Sequence, residues 1–209
     1  MARDDTSGRC TFHERAAVRR AARDRRATLG PVERNSAARA VRDRLLAHPA
    51  IRQARDIAAY SAHGDELDLA PTIAALQALG KHVLLPRLRR RAGRMEFARL
   101  EPGMTLRANR FGIAEPPADA PTVAPRFLQV VLVPLAAFDL HGNRLGSGGG
   151  YYDRCFAFRK TRVAWHLPRL IGVAFDLQQA TAIPVGDWDV PLDGVVTEQR
   201  VVDFAKGAG

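Results

Sequence analysis

The longest apolar run in the chain, Val130 to Phe138, empties directly into DLHGNRLGSGGGYYDR, Asp139 to Arg154, where five glycines lead to two tyrosines and an aspartate. The run is nine residues long and is interrupted by Pro134. It is too short to span a bilayer and has the length and composition of a buried strand. A helix is expected to begin near Tyr151, and a strand that feeds a glycine loop and then a helix belongs in an α/β fold. Glycine lets backbone N–H groups come close to a ligand and takes positive φ, so such a loop suits the grip of phosphates.

The remaining segments agree with this class. Residues 1–12 read as a polar, disordered leader. Alanine and arginine then predict a helix from His13 to about Leu29, broken by Gly30 and Pro31, and a second from Val32 to His48, ended by Pro49. Together they form a basic helical hairpin. Asp56 to Ala62 reads as a strand, Leu69 to Leu79 as a helix closed by Gly80, and His82 to Leu85 as a strand stopped by Pro86. A right-handed crossover makes those two strands parallel neighbours. Arg87 to Phe111 reads as a hairpin at a sheet edge, Glu115 to Pro125 as an irregular connector, and Leu170 to Phe175 and Gly194 to Val202 as two more strands. The expected fold is α/β, with a mixed, mostly parallel sheet flanked by helices. Residues 13–203 are expected to form a single domain and 204–209 a flexible tail.

At 209 residues such a domain can bury its core without staples. Cys10 and Cys155 lie outside any disulfide or zinc spacing, and the N-terminal stretch lacks the apolar core of a signal peptide. A reduced, soluble cytoplasmic protein, monomeric and without a membrane or nucleic-acid partner, is the expectation. The net charge of +10 does not contradict this. Residues 1–55 hold fourteen arginines against six acids and so carry most of the excess, yet no RNP, zinc-finger or helix-turn-helix signature accompanies them. A nucleic-acid module is therefore the minority reading.

Three clusters carry candidate chemistry. The loop lacks the lysine of a G-x-x-x-x-G-K-[ST] phosphate loop and the spacing of G-x-G-x-x-G. Instead Arg144 precedes the glycines as a cationic phosphate partner, and Asp153 follows them as a Mg²⁺ ligand. Asp187, Asp189 and Asp193 in GDWDVPLDG form the second cluster. By spacing alone they are an exposed acidic turn, but nucleotide chemistry needs Mg²⁺ held by one or two carboxylates, which Asp153 and Asp189 supply. The third is YSAHGDELD, Tyr60 to Asp68, at the C-terminal end of the first sheet strand, where α/β sheets collect ligands. There Glu66 either hydrogen-bonds a heterocycle or supports the dipole of the next helix. His63, His141 and His166 read as surface residues, and Phe97, Phe111, Trp165 and Trp188 as core.

The segment VPLAAFDLHGNRLGSGGGYYDR resembles the glycine loop of the 5-formyltetrahydrofolate cyclo-ligase family, also called 5,10-methenyltetrahydrofolate synthetases. The resemblance runs from about Glu14 to Val202. It takes in the N-terminal basic helix, GDELDLAPTIAALQALGKHVLLP, the MEF and FGIAEP segments, and IGVAFDLQQATAIPVGDWDVPLDGVVTE. It implies a fold similar to that of ribose-5-phosphate isomerases and CoA transferases. The implied reaction is the ATP- and Mg²⁺-dependent conversion of 5-formyltetrahydrofolate to 5,10-methenyltetrahydrofolate, with release of ADP and phosphate.

Residue by residue, the resemblance places the family's K-x-x-x-R nucleotide motif on Arg15 and Arg19, with arginine where lysine is usual. The ATP loop falls on Arg144, Leu145, Gly146, Ser147, Gly148, Gly149, Gly150, Tyr151 and Tyr152, and Ser147 to Tyr151 also face the folate. Ser61 and Glu66 are implied on the pterin side, and Asp153 and Asp189 at the metal. The basic run from Arg87 through Arg89, Arg90, Arg91 and Arg94 reads as a solvated hairpin that could attract a polyglutamate tail. The alternative to this function is another nucleotide- or sugar-phosphate-binding enzyme of the same fold, since the loop specifies phosphate better than folate.

Overall fold

A computed structural model of the chain describes residues 6–89, 95–161 and 167–204, with the backbone alone for residues 6–11. Three elements open the chain: α1 (Thr6–Ala27), α2 (Pro31–Ala47) and a short α3 (Pro49–Gln53). Then follow β1 (Asp56–Ala58), α4 (Ala70–Ala78), β2 (His82–Leu88), β3 (Met95–Arg99), β4 (Arg107–Ala108), β5 (Ala114–Glu115) and β6 (Thr122–Val123). The C-terminal half holds β7 (Val130–Pro134), β8 (Ala137–Phe138), β9 (Arg144–Leu145), α5 (Tyr151–Phe156), β10 (Arg169–Val173), β11 (Gly194–Val196) and β12 (Val201–Asp203). The main sheet has eight strands in the order β12-β11-β10-β7-β1-β2-β3-β6. Its five central strands are parallel, and β12, β3 and β6 close the edges antiparallel.

The alternation of side chains explains why the central strands are apolar throughout. Ile57, Val83, Leu85, Val130, Leu132, Ile171 and Val173 point to one face, where α2, α3 and α4 add Val41, Leu45, Ile51 and Leu76. Ala58, Leu84, Val131, Val133 and Leu170 point to the other, packed by Phe156 of α5 and by Val190 and Leu192. Both faces of a parallel sheet must be covered, so no polar alternation remains to be read.

Local departures from the expected elements have local causes. The first helix starts at Thr6, earlier than the expected His13, and residues 1–5 lie outside the described residues. Pro49 ends α2 as expected but also opens α3 at N1, where its missing N–H is no loss and the His48 ring nitrogen accepts from Ala50 N at 3.1 Å. Pro86 does not stop β2. Leu84 O accepts from Ala59 N, so the same edge of β2 two residues on lies beyond the end of β1, where a proline removes no ladder bond. The expected connector contains β6, and the expected strand Gly194 to Val202 is a hairpin, because Thr197 accepts from Arg200 N at 3.1 Å and turns the chain. The two basic helices diverge: α2 packs on α4, whereas α1 crosses to β8, with Ala22 seated on Ala137, Leu145 and Ile183. That crossing brings the arginines of α1 to the glycine loop.

Candidate active site

The glycine loop stands on a small hairpin. Buried Asp139 accepts on Oδ1 from His141 N and Asn143 N at 2.9 and 3.0 Å, and on Oδ2 from Ile183 N at 3.0 Å. One carboxylate thus ties the β8–β9 turn to the segment that leads to Asp189. Sequence reading assigned Asp139 no role, although an aspartate three residues before a glycine is a turn signal. Beyond β9, Gly148 has φ 109° and Gly150 φ 64°, values that favour glycine. Among the described residues, the N–H groups of Ser147, Gly148, Gly149 and Gly150 donate to no internal acceptor. Consecutive free backbone donors on an exposed loop form an anion-binding concavity.

Charged side chains surround that loop in pairs. Arg144 is 3% exposed at its side chain and donates from Nη2 to Asp153 Oδ1 at 2.7 Å; its Nε is buried with no hydrogen-bond partner among the described residues. Asp153 Oδ1 also accepts from Val190 N at 3.2 Å, which binds α5 to the Asp189 segment. Arg15 grips Asp189 with both terminal nitrogens, at 2.6 and 2.9 Å, and reaches Pro184 O at 3.0 Å. The Asp189 hydrogen bonds raise Arg15 above the usual guanidinium value, against the opposing effect of burial. Burial pushes Asp189 upward, but the Arg15 bonds, the Gly186 N–H and the arginine charges outweigh it and hold the carboxyl below its usual range. Arg19 donates from Nε to Gly146 O at 2.9 Å, so it holds the loop while its terminal nitrogens stay available. Burial, and then the charge of Arg15, lower its pKa. Beside these groups lies a cleft lined by Asn143, Arg144, Val185, Gly186, Asp189 and Val190.

Ser61 and Glu66 occupy the loop after β1. Ser61 Oγ donates to Ala114 O at 2.8 Å, and Glu66 Oε2 accepts from His63 N at 3.0 Å. The buried hydroxyl of Tyr152 has no hydrogen-bond partner among the described residues, and burial followed by the charge of Glu66 raises its pKa. Burial raises Glu66 itself above the usual carboxylate range, against the His63 N–H and the Arg26 charge. A raised folded pKa stabilises the fold below the unfolded value, and that stabilisation is lost as pH rises through the folded one. Ionised Glu66 is therefore a burden at neutral pH. Glu66→Gln should leave the thermal midpoint at pH 7 unchanged or higher, lose that advantage on acidification, and raise KM for whatever the loop binds. Scanning fluorimetry at two pH values with steady-state kinetics checks this, and a midpoint several degrees lower at pH 7 would contradict it.

Of the sequence-predicted residues, Arg15, Arg19, Arg144, Gly146, Asp153 and Asp189 come together, while Leu145 is buried beneath α1 and has only its backbone to offer. Ser147, Gly148 and Gly149 are exposed and Tyr151 is half-buried at the start of α5. The acidic cluster divides. Asp187 is exposed, whereas Asp193 is buried in an ion pair with Arg159 at 2.6 Å and accepts from Leu170 N at 2.7 Å. Phe97 is core as expected, but Phe111 and Trp188 are 45% and 67% exposed; Trp165 and His166 lie outside the described residues. His63 and His141 are at the surface. Arg87 and Arg89 are not free charges, since both pair with Glu96, and Arg90, Arg91 and Arg94 lie outside the described residues.

Comparison with known proteins bears on what this site does. The profile of the 5-formyltetrahydrofolate cyclo-ligase family matches residues 11–198. The 5-formyltetrahydrofolate cyclo-ligase of Escherichia coli is 37% identical over 186 residues, covering 87% of this chain and 99% of the relative. That of Haemophilus influenzae is 35% identical over 183 residues, covering 86% and 95%. The solved structure of 5,10-methenyltetrahydrofolate synthetase from Aquifex aeolicus superposes with a TM-score of 0.77 at 30% identity, covering 93% of this chain and 95% of that one. The synthetase from Mycoplasma pneumoniae, at 20% identity and a TM-score of 0.69, shares the fold.

Proposed function

Since the chain belongs to the 5-formyltetrahydrofolate cyclo-ligase family and is a ligase, we propose that it converts 5-formyltetrahydrofolate to 5,10-methenyltetrahydrofolate with ATP and Mg²⁺, releasing ADP and phosphate. The observation that carries the ATP assignment is the loop from Ser147 to Gly150, whose four N–H groups donate to no acceptor among the described residues, next to Arg19 on Gly146 and the Arg144–Asp153 and Arg15–Asp189 pairs. Residues 13–203 form the working domain.

A formamide carbonyl is a poor electrophile, so the formyl oxygen has to be activated before N10 of the folate can close on its carbon. The formyl oxygen attacks the γ-phosphate and displaces ADP to give an imidate phosphate; N10 then adds to the activated carbon and gives up its proton, and phosphate leaves as the C–O bond breaks. For a phosphoryl transfer the protein supplies alignment and charge neutralisation rather than a nucleophile. Holding the formyl oxygen against the γ-phosphate contributes on the order of 7 kcal/mol. The loop N–H groups and Arg144 would hold the phosphates, Arg19 would keep Gly146 in place and offer its terminal nitrogens, and Ser61 and Glu66 would orient the pterin.

The residues present fit Mg²⁺ with one condition. Asp153 Oδ2 has no partner among the described residues, but both oxygens of Asp189 are engaged by Arg15. No group of three or more metal-binding side chains exists among the described residues. Carboxylates plus nucleotide phosphates are the usual donor set for Mg²⁺, so the nucleotide has to complete the shell. Asp153 would hold the ion, joined by Asp189 once Arg15 turns to a phosphate. The ion's contribution would be neutralisation of charge on the transferred group.

Incubation of the protein with 5-formyltetrahydrofolate, Mg²⁺ and ATP, followed by near-ultraviolet absorbance of the methenyl product, tests the reading. An ATP-dependent signal is expected, and its absence would sink the assignment. Among the described residues no helix is long and apolar enough to cross a membrane. We propose a cytoplasmic monomer; the Cys155 thiol is free, and burial pushes it up to about 12.

A further inference from the structure

The β4–β5 hairpin touches both halves of the site although none of its residues has been given a part in the reaction. Ser61 Oγ donates to Ala114 O at 2.8 Å, and a Cβ at Gly112 would lie 3.6 Å from His63 Cε1. On the other side Arg110 Nη2 donates to Tyr151 OH at 3.3 Å, and the rings of Phe111 and Tyr151 meet edge to face, 6.5 Å apart. The tip therefore bridges the loop that carries Ser61, His63 and Glu66 and the first residue of α5.

The tip is also stiff. Asn109 Oδ1 accepts from Phe111 N and Ile113 N at 2.8 and 3.1 Å, Asn109 N donates to Ile113 O, and Gly112 takes φ 76°. Its exposed side chains are thus held in place. Arg110 lies 4.7 Å over the half-exposed Phe111 ring and has no carboxylate partner among the described residues. Several nearby cations differ: Arg15 and Arg144 are neutralised by aspartates, and Arg87 and Arg89 by Glu96. Arg154 also has no carboxylate partner among the described residues, but it is drawn to Gly149 O while it stacks on Tyr151. An unpaired guanidinium that is already ordered by a ring and a hydroxyl loses little freedom when it takes a carboxylate.

We propose that Arg110 is a specificity-determining residue that binds the carboxylates of the glutamate tail as it leaves the pocket, while the pterin sits at Glu66. This rests on the folate reading above. With its Nη2 on Tyr151 and its face on Phe111, Arg110 still has several N–H donors for a carboxylate, the geometry at which arginine surpasses lysine. Rim charges of this kind act on substrate capture and are weakened by salt.

The test compares KM and kcat for 5-formyltetrahydrofolate carrying one or several glutamates and for 5-formyltetrahydropteroate, which has none, at saturating ATP. Arg110→Ala should raise KM about tenfold for the glutamate-bearing substrates, the loss of one charged hydrogen-bonded contact, with kcat within about twofold. KM for the tail-less analogue should not move, and Arg110→Lys should recover part of the loss. Arg126, stacked 4.8 Å over Phe127 before β7 and so at the opposite end of the sheet strands, is the control; Arg126→Ala should change nothing. An equal rise in KM with and without the tail would show that Arg110 only props the hairpin, and overturns the proposal, as does no rise at all. If the unmodified protein turns over none of the three folates, the cyclo-ligase reading fails and this proposal with it.

Discussion

Asp153→Asn should lower turnover by a factor of about 10² to 10³, the scale on which removal of a charge-stabilising group acts in a transition state. Binding of Mn²⁺, used as a paramagnetic probe in the presence of a non-hydrolysable ATP analogue, should weaken in parallel. Near-normal kcat with unchanged Mn²⁺ binding would remove Asp153 from the metal shell. The choice of asparagine matters, because Asp153 faces a guanidinium whose side chain is 3% exposed. Asp153→Ala would leave Arg144 buried without a counter-charge, a loss of roughly 3–5 kcal/mol for a pair of this kind. The alanine variant would therefore confuse lost chemistry with lost stability, whereas asparagine can still accept the Arg144 and Val190 hydrogen bonds.

The second large effect separates the acids of the GDWDVPLDG segment. Asp193→Ala should lower the thermal midpoint by on the order of 10 °C, since an uncompensated buried charge costs about 3–5 kcal/mol and each kcal/mol moves a domain of this size by about 2–4 °C. Both side chains of the Arg159–Asp193 pair are nearly buried, at 9% and 6% exposure, and Asp193 also fixes the start of β10 through Leu170 N. Below the new midpoint, kcat should remain near that of the unmodified protein. Asp189→Ala should do the reverse, with lost turnover and a smaller stability change. A midpoint shift under about 2 °C for Asp193→Ala, measured by calorimetry, would refute the structural role.

The glycine loop and the flanking Arg144 and Asp153 were legible in the sequence because their chemistry is local. A loop of glycines after a buried strand exposes backbone donors wherever that strand lies, and residues next to the loop share its position. The central strands were legible for a similar reason: burial on both faces leaves an unbroken apolar run. Residues whose partners lie far along the chain were not. Nothing near Asp193 shows that it meets Arg159, 34 positions away. The strand limits at Pro86 and the turn within Gly194 to Val202 depended on where neighbouring strands end.

By itself the sequence determined the α/β class, the apolar central strands, the glycine loop that follows one of them and, through motifs in the right order, the family. The first three follow from periodicity and glycine content, which act within a few residues, and the last from a resemblance carried by whole motifs. The tertiary structure decided which charges are available. It seated α1 on β8, placed Arg15 across Asp189 at 2.6 and 2.9 Å and Arg19 on Gly146, and set Arg110 against Tyr151 with no carboxylate partner among the described residues. Charge pairing is a property of distance in space, and residues 174 positions apart, such as Arg15 and Asp189, acquire it only when the chain has folded.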